Sequence, residues 1–128
     1  MQIKGTKERG AYVKNVIVAD CQLLKITVFS KLGYNNDGAA APTPPEFENF
    51  VFKNIDLSKA SIKEPVIDIN GFKVPGYRLK NVRFENIIVP ENAHVVINDA
   101  GKVSFKNVKS ASGIKPLYTI NNSVDIAY

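Results

Sequence analysis

A nine-residue pattern that occurs four times constrains the fold of this 128-residue chain more than any other feature. Apolar residues occupy its second, fourth and seventh places, and Asn or Asp occupies its sixth place. The four copies are Asn15–Leu23, Asn49–Leu57, Asn81–Val89 and Lys102–Ser110. A two-residue step between apolar places is the period of a β-strand, whereas the three-residue step across the sixth place predicts a bend. Four copies in so short a chain favour a stacked repeat.

The pattern sorts the side chains into columns that hold one residue from each copy. The apolar columns are Val16, Phe50, Val82 and Val103; Val18, Phe52, Phe84 and Phe105; and Cys21, Ile55, Ile87 and Val108. The polar column is Asp20, Asn54, Asn86 and Asn107. When parallel strands pair in register, like residues stack on like and neighbouring amides bond to one another. We therefore expect the fourth-place residues to stack inside the fold and the polar column to form a ladder at the bend.

Shorter apolar segments between the copies predict a second strand in each repeat. These segments are Leu24–Ser30, Pro65–Ile69, His94–Asn98 and Leu117–Asn121, and Ile3 is read as a strand remnant. Val, Ile and Phe are frequent and follow a two-residue period, so no helix is expected. Two strands and one fixed bend per repeat predict an all-β chain folded as a right-handed parallel β-helix of about four coils. The alternative, a β-sandwich of about eight strands, does not explain why Asn recurs at one place.

Composition argues against several functional classes. The net charge is +5, but most Lys residues, such as Lys53 and Lys106, lie between inward-facing positions. Basic residues are not interleaved with aromatic ones, so we expect no nucleic-acid partner. No apolar run is long enough to cross a membrane and no signal peptide opens the chain, so no membrane partner is expected either. The one cysteine, Cys21, stands in an apolar column, where a small buried side chain is expected rather than a nucleophile. No cofactor or metal ion is predicted.

Two short segments near the start carry a family resemblance. Gln2-Ile3-Lys4, followed by the run from Lys7 to Val16, resembles the carboxy-terminal third of glycoside hydrolase family 28, the polygalacturonases. In that family an Arg-Ile-Lys motif precedes an Arg-Gly-Gly turn and an Asn-Val or Asn-Ile strand. Here Gln2 replaces the Arg and Ala11 the second Gly, and Tyr34 matches a tyrosine about thirty residues beyond the motif lysine. The resemblance runs from residue 2 to about residue 110, is closest to the bacterial exo-acting branch, and implies a pectin-lyase-like β-helix.

The resemblance also implies a reaction that this chain does not carry by itself. Polygalacturonases hydrolyse α-1,4 links between galacturonate units with inversion, which requires one carboxylic acid and one carboxylate. In the family this work falls to three Asp residues near a Gly-His-Gly segment, all before the Arg-Ile-Lys motif. The chain has no Asp-Asp pair, and its one histidine, His94, begins a late strand, where a surface or strand-edge role is expected. We therefore assign no catalytic residue and expect the chain alone to be inactive.

Substrate binding is the part of the family site that the resemblance does place in this chain. It implies that Lys4 contacts a galacturonate carboxylate, that Tyr34 bonds to or stacks on a sugar ring, and that Arg9 serves a neighbouring subsite. The alternatives are a solvated lysine near the start of the chain and a tyrosine that anchors the packing of its loop. With Gln2 in place of Arg, the carboxylate clamp lacks its bidentate half.

Three functional hypotheses follow from these observations. Residues 1–128 are a single partial β-helix domain that forms the carboxy-terminal coils of a polygalacturonase-like enzyme, a family that is usually secreted or periplasmic. Alternatively, the chain is a non-catalytic module that binds acidic polysaccharide, or a structural β-helix that assembles with itself. The chain by itself is expected to bind oligogalacturonate weakly, if at all. Because a β-helix that begins at this point exposes unpaired backbone, a second copy or an upstream chain is expected to pair with its amino-terminal end.

Overall fold

All regular elements of the described chain are β-strands. The computed structural model describes residues 1–28 and 39–128. Its ten strands are β1 (Gln2–Ile3), β2 (Tyr12–Gln22), β3 (Ile26–Val28), β4 (Glu46–Asp56), β5 (Ile67–Asn70), β6 (Leu79–Ile88), β7 (His94–Asn98), β8 (Ala100–Lys109), β9 (Leu117–Asn121) and β10 (Val124–Ala127). The predicted all-β class is confirmed. In the described residues there is no helix that is long and apolar enough to cross a bilayer.

The strands form two five-stranded sheets, and the chain alternates between them. Sheet A has the order β1-β3-β5-β7-β9, and sheet B has the order β10-β8-β6-β4-β2. Each strand pairs in parallel with the strand two places along the chain. We call each consecutive pair of strands, one from each sheet, a layer, from layer 1 (β1–β2) to layer 5 (β9–β10). Parallel pairing throughout rules out the antiparallel β-sandwich.

The predicted columns are confirmed by the register of sheet B. Val18 pairs with Phe52, Phe52 with Phe84, and Phe84 with Phe105. The rings of Phe52 and Phe84 lie 4.9 Å apart, and those of Phe84 and Phe105 lie 4.8 Å apart, nearly parallel in both cases. Phe52 and Phe84 are fully buried, whereas Val18 and Phe105, at the ends of the stack, are half-buried. Facing them from sheet A are the buried residues Ile26, Val28, Ile67, Ile69, Val95 and Ile97.

Two residues with positive φ bend each of the four long strands of sheet B. The bend at the sixth place is confirmed, with φ of 57° at Asp20, 54° at Asn54, 54° at Asn86 and 55° at Asn107. Asn and Asp tolerate this conformation better than other residues with a Cβ atom. A second bend lies at the first place of the pattern and was not predicted. Its residues are Asn15, Asn49, Asn81 and Lys102.

Ladders of side-chain amides link the layers at these bends. The predicted ladder is confirmed: Asn54 Nδ2 donates to Asp20 Oδ1 (2.9 Å), Asn86 to Asn54 (3.2 Å) and Asn107 to Asn86 (2.9 Å). Two further ladders were not predicted. One joins Asn15, Asn49 and Asn81 in sheet B, and the other joins Asn70, Asn98 and Asn121 in sheet A. The layers are therefore held in register by polar contacts outside the core as well as by the apolar stack inside it.

The strand predictions for sheet A are close but not complete. β7 and β9 have the predicted bounds, while β5 begins at Ile67 instead of Pro65 and extends to Asn70. Proline lacks the N–H that a ladder requires, which explains the later start. The strand β10 was missed because it lacks the Phe and Asn that mark the nine-residue pattern. Asp125 lies within β10 at a bend with φ of 55°.

Candidate functional site

Two of the three predicted binding residues lie in one connection. Lys4 and Arg9 both belong to residues 4–11, which join β1 to β2; Lys4 is exposed and Arg9 is half-buried. The third residue, Tyr34, lies outside the described residues. Connection 4–11 therefore carries the two basic residues that the family resemblance assigned to substrate binding.

Connection 4–11 is fixed by contacts with the chain segment that precedes β4. The amide of Ala41 donates to the carbonyl oxygen of Glu8 (2.8 Å), and the amide of Arg9 turns back to Thr6 (3.1 Å). Gly10 has a φ of 60°, and a Cβ atom there would lie 3.0 Å from the Cβ of Ala41. A larger residue at position 10 would be strained and would separate the two segments. The backbone that carries Arg9 is therefore held by neighbours on both sides.

Lys4 directly follows β1, the edge strand of sheet A. Its place in the register corresponds to that of Asn70, a member of an amide ladder. Ile3 pairs with Val28, which pairs with Ile69. Lys4 follows Ile3 by one residue, as Asn70 follows Ile69, and Asn70 is the first member of the ladder in sheet A. Lys4 therefore follows β1 as Asn70 follows β5, and strand β3 lies between them in sheet A.

The outward face of sheet A is polar and its groups are mutually bonded. Asn70 Nδ2 donates to Asp68 Oδ1 (2.7 Å), and His94 Nε2 lies 2.7 Å from Thr119 Oγ1. His94 begins β7 and is half-buried, which confirms the strand-edge role expected for it. Amide, hydroxyl and imidazole groups of this kind can bond to sugar hydroxyls. In the described residues, no hydrogen bond or ion pair joins His94 to a carboxylate.

Two carboxylates that are far apart in sequence line the same groove on sheet B, on the other side of the fold. Asp20 and Asp56 line a groove of about 500 Å³ together with Gln22, Asn54 and Asn86. The chain has no Asp-Asp pair in sequence, and it is the register of β2 and β4, which pairs Gln22 with Asp56, that brings both carboxylates to one groove. That Asp20 and Asp56 share a groove can be inferred from the sequence only once the register of β2 and β4 is known.

Asp56 in this groove is not suited to donate a proton. Hydrogen bonds from the Ser58 hydroxyl and amide hold the pKa of Asp56 below its usual value, so its carboxyl is ionised at neutral pH. Asp20 accepts a hydrogen bond from Asn54 Nδ2 (2.9 Å). Glycoside hydrolysis by inversion requires one protonated carboxyl, and Asp56 does not supply it.

The site residues do not form a metal centre, and comparisons with known proteins add no relatives. Across residues 1–28 and 39–128, no three His, Cys, Asp or Glu side chains come together as a metal ion requires. No family model, no curated protein and no solved structure matches this chain. Lys4 and Arg9, which the family resemblance names, lie in connection 4–11 and are the candidate binding residues within the described part of the chain.

Proposed function

We propose that the chain is a right-handed parallel β-helix of about four coils and the carboxy-terminal part of a polygalacturonase-like glycoside hydrolase. Five parallel strands in each sheet, paired in register and joined by bends at fixed places, support this fold. The substrate class is galacturonate-containing pectin. The observation that carries the functional proposal is the position of Lys4 and Arg9 in one connection, 4–11, which backbone hydrogen bonds hold in place.

In this proposal the chain contributes binding and not bond cleavage. Lys4 places an exposed ammonium where it can meet a uronate carboxylate, and Arg9 supplies a second cation from the same connection. Polyanionic substrates favour such groups because each charged hydrogen bond contributes about 1.5–3 kcal/mol. The general acid and base come from outside the residues of this sequence. Affinity for oligogalacturonate is therefore modest and falls as salt concentration rises.

The test is calorimetric titration of the chain with oligogalacturonate, comparing two lysine substitutions. Lys4→Ala should weaken binding about tenfold, the loss expected for one charged contact. Lys106→Ala is the matched control, because Lys106 is equally exposed but lies on β8 in sheet B. Equal loss in the two variants would mean that only net charge matters, and the proposed site would be wrong.

A second candidate is a structural role in which copies of the chain assemble through sheet edges. The observation that favours it is the edge strand β2, whose Tyr12 and Ile17 are 71% and 67% exposed. Edge strands with exposed apolar side chains are templates for pairing with another chain. Light scattering across a range of protein concentrations separates the candidates. A monodisperse monomer at high concentration that still binds oligogalacturonate would favour the binding role.

A further inference from the structure

Residues 71–78 form an overhang of layer 3 on the same side of the fold as the amino-terminal connection, because both segments lead from sheet A to sheet B. This segment joins β5 to β6. The amide of Gly71 donates to the carbonyl oxygen of Asn98 (2.9 Å), and the amide of Tyr77 donates to that of Val74 (3.0 Å). The ring of Phe72 stacks on Phe47 of layer 2, with 6.0 Å between centroids and 12° between planes. The overhang is therefore attached to the layers on both sides of it.

The overhang lies directly on the next layer at the bend formed by Asp99. A Cβ atom on Gly71 would lie 1.9 Å from the carbonyl oxygen of Asp99 and 2.7 Å from the amide nitrogen of Leu79. Only glycine permits this approach. The start of the overhang is consequently fixed in position relative to the short bends of layers 4 and 5, which have no comparable insertion.

Arg78 reaches across from the base of the overhang to layer 5. Its Nη1 donates to the carbonyl oxygen of Asn122, and its Nη2 donates to Asn122 Oδ1 (3.3 Å). Asn122 Nδ2 in turn donates to Asp99 Oδ1. The contacts with Asn122 of layer 5 therefore hold the guanidinium of Arg78 in place. It still has N–H donors left, because a guanidinium group carries five.

A cavity of about 320 Å³ lies between the overhang and these bends. Its lining is Phe72, Lys73, Val74, Pro75, Arg78, Asp99 and Asn122. The volume is at the lower end of the range for small-molecule sites in proteins. Lys73 and Arg78 give the cavity two cations, Val74 and Pro75 give it an apolar wall, and Asp99 with Asn122 gives it groups that bond to hydroxyls.

We propose that this cavity is a second binding site for an acidic sugar unit. The carboxylate of the sugar meets Lys73 and Arg78, its apolar ring face packs against Val74 and Pro75, and its hydroxyls bond to Asp99. A phosphate dianion fits less well, because the Asp99 carboxylate repels it. An aromatic ligand fits less well, because the one aromatic ring of the lining, Phe72, is buried.

This inference rests on the proposed function for its ligand class and deepens it by adding a separate subsite. None of its residues is implied by the family resemblance, which assigned binding to Lys4, Tyr34 and Arg9. Layer 3 and layer 1 are separated by layer 2, so the two sites are distinct surfaces. An acidic oligosaccharide that runs across the layers can contact both sites.

The experiment uses the full chain and maps amide chemical shifts during titration with galacturonate, with galactose as the uncharged control ligand. Galacturonate should shift the amides of residues 72–78, 99 and 122, and galactose at the same concentration should not. Lys73→Ala should weaken this binding about tenfold, whereas Lys106→Ala should change it less than twofold. Equal effects of the two sugars, or unchanged affinity in Lys73→Ala, would overturn the inference. Lys73 is exposed, so its removal should leave the fold intact.

Titration with oligogalacturonate distinguishes the second site from the proposed function. Shifts confined to residues 1–11 would leave the proposed function standing and reject the second site. Shifts confined to residues 72–78, 99 and 122 that persist in Lys4→Ala would support the second site and reject the role of Lys4. Arg78→Lys keeps the charge but removes the planar fork, and it should weaken galacturonate binding while Lys4→Ala leaves the affinity at this site unchanged.

Discussion

At the scale of single residues, Phe84 carries the most stacking contact in the core. Its ring lies between those of Phe52 and Phe105 and is fully buried. Phe84→Ala should lower the free energy of unfolding by ~3–5 kcal/mol, because neighbours in a packed stack cannot fill the cavity. Phe105→Ala is the matched control and should cost less, because Phe105 is half-buried. Urea denaturation measures both changes, and equal losses would contradict a closed stack.

Tyr118 gives a pH dependence whose sign follows from its burial. Burial, together with the neighbouring Tyr128, raises the pKa of Tyr118 from 10.0 to about 12. The unfolded chain therefore ionises this phenol first, and the stability that Tyr118 contributes is complete below pH 10 and is lost as pH rises towards 12. Tyr118→Phe should flatten this fall. Thermal unfolding of both proteins between pH 9 and pH 12 tests this prediction. If the variant loses stability with pH as steeply as the original protein, groups other than Tyr118 cause the loss.

At the scale of elements, the contact between the overhang 71–78 and the bend at Asp99 is the tightest described. Gly71→Ala should destabilise the protein by ~1–3 kcal/mol or more, because the added methyl group meets backbone atoms that cannot move aside. Gly101→Ala is the control, since a Cβ there has one ordinary contact, with Val124 at 3.6 Å. Thermal unfolding compares the two variants. A Gly71→Ala protein as stable as Gly101→Ala would show that the overhang shifts freely.

For strands and connections, some sequence predictions were right and others were missed, and each outcome has a physical reason. Strict alternation around a fixed polar place identified β2, β4, β6 and β8 and the ladder that begins at Asp20. The bend at the first place was missed because Lys102 interrupts an otherwise uniform Asn column. The approach of Asp20 to Asp56 depends on register between layers, which a linear pattern does not contain until strands are paired. The overhang was missed because it follows no periodicity.

At the scale of the whole molecule, we expect no hydrolysis of polygalacturonate by the chain alone. Asp20 and Asp56, which line one groove, lie on sheet B, and hydrogen bonds from Ser58 hold Asp56 ionised, while Lys4 lies at the edge of sheet A. Release of reducing sugar should match buffer within error. The same chain joined to a family catalytic segment should become active. Appreciable release by the chain alone, abolished by Lys4→Ala, would contradict this expectation.

The layered arrangement also limits how far a local disturbance can travel. The main contacts of each strand are with the strands of the preceding and following layers. Such a molecule behaves as a row of coupled units, in which stability is close to a sum of unit terms and nearest-neighbour terms. A loosened outer layer therefore affects the stability of the middle layer only through the layer that lies between them. We expect local unfolding to begin in the outer layers, β1–β2 and β9–β10, and to become rarer towards β5–β6. The interior layer then opens only when the whole domain unfolds.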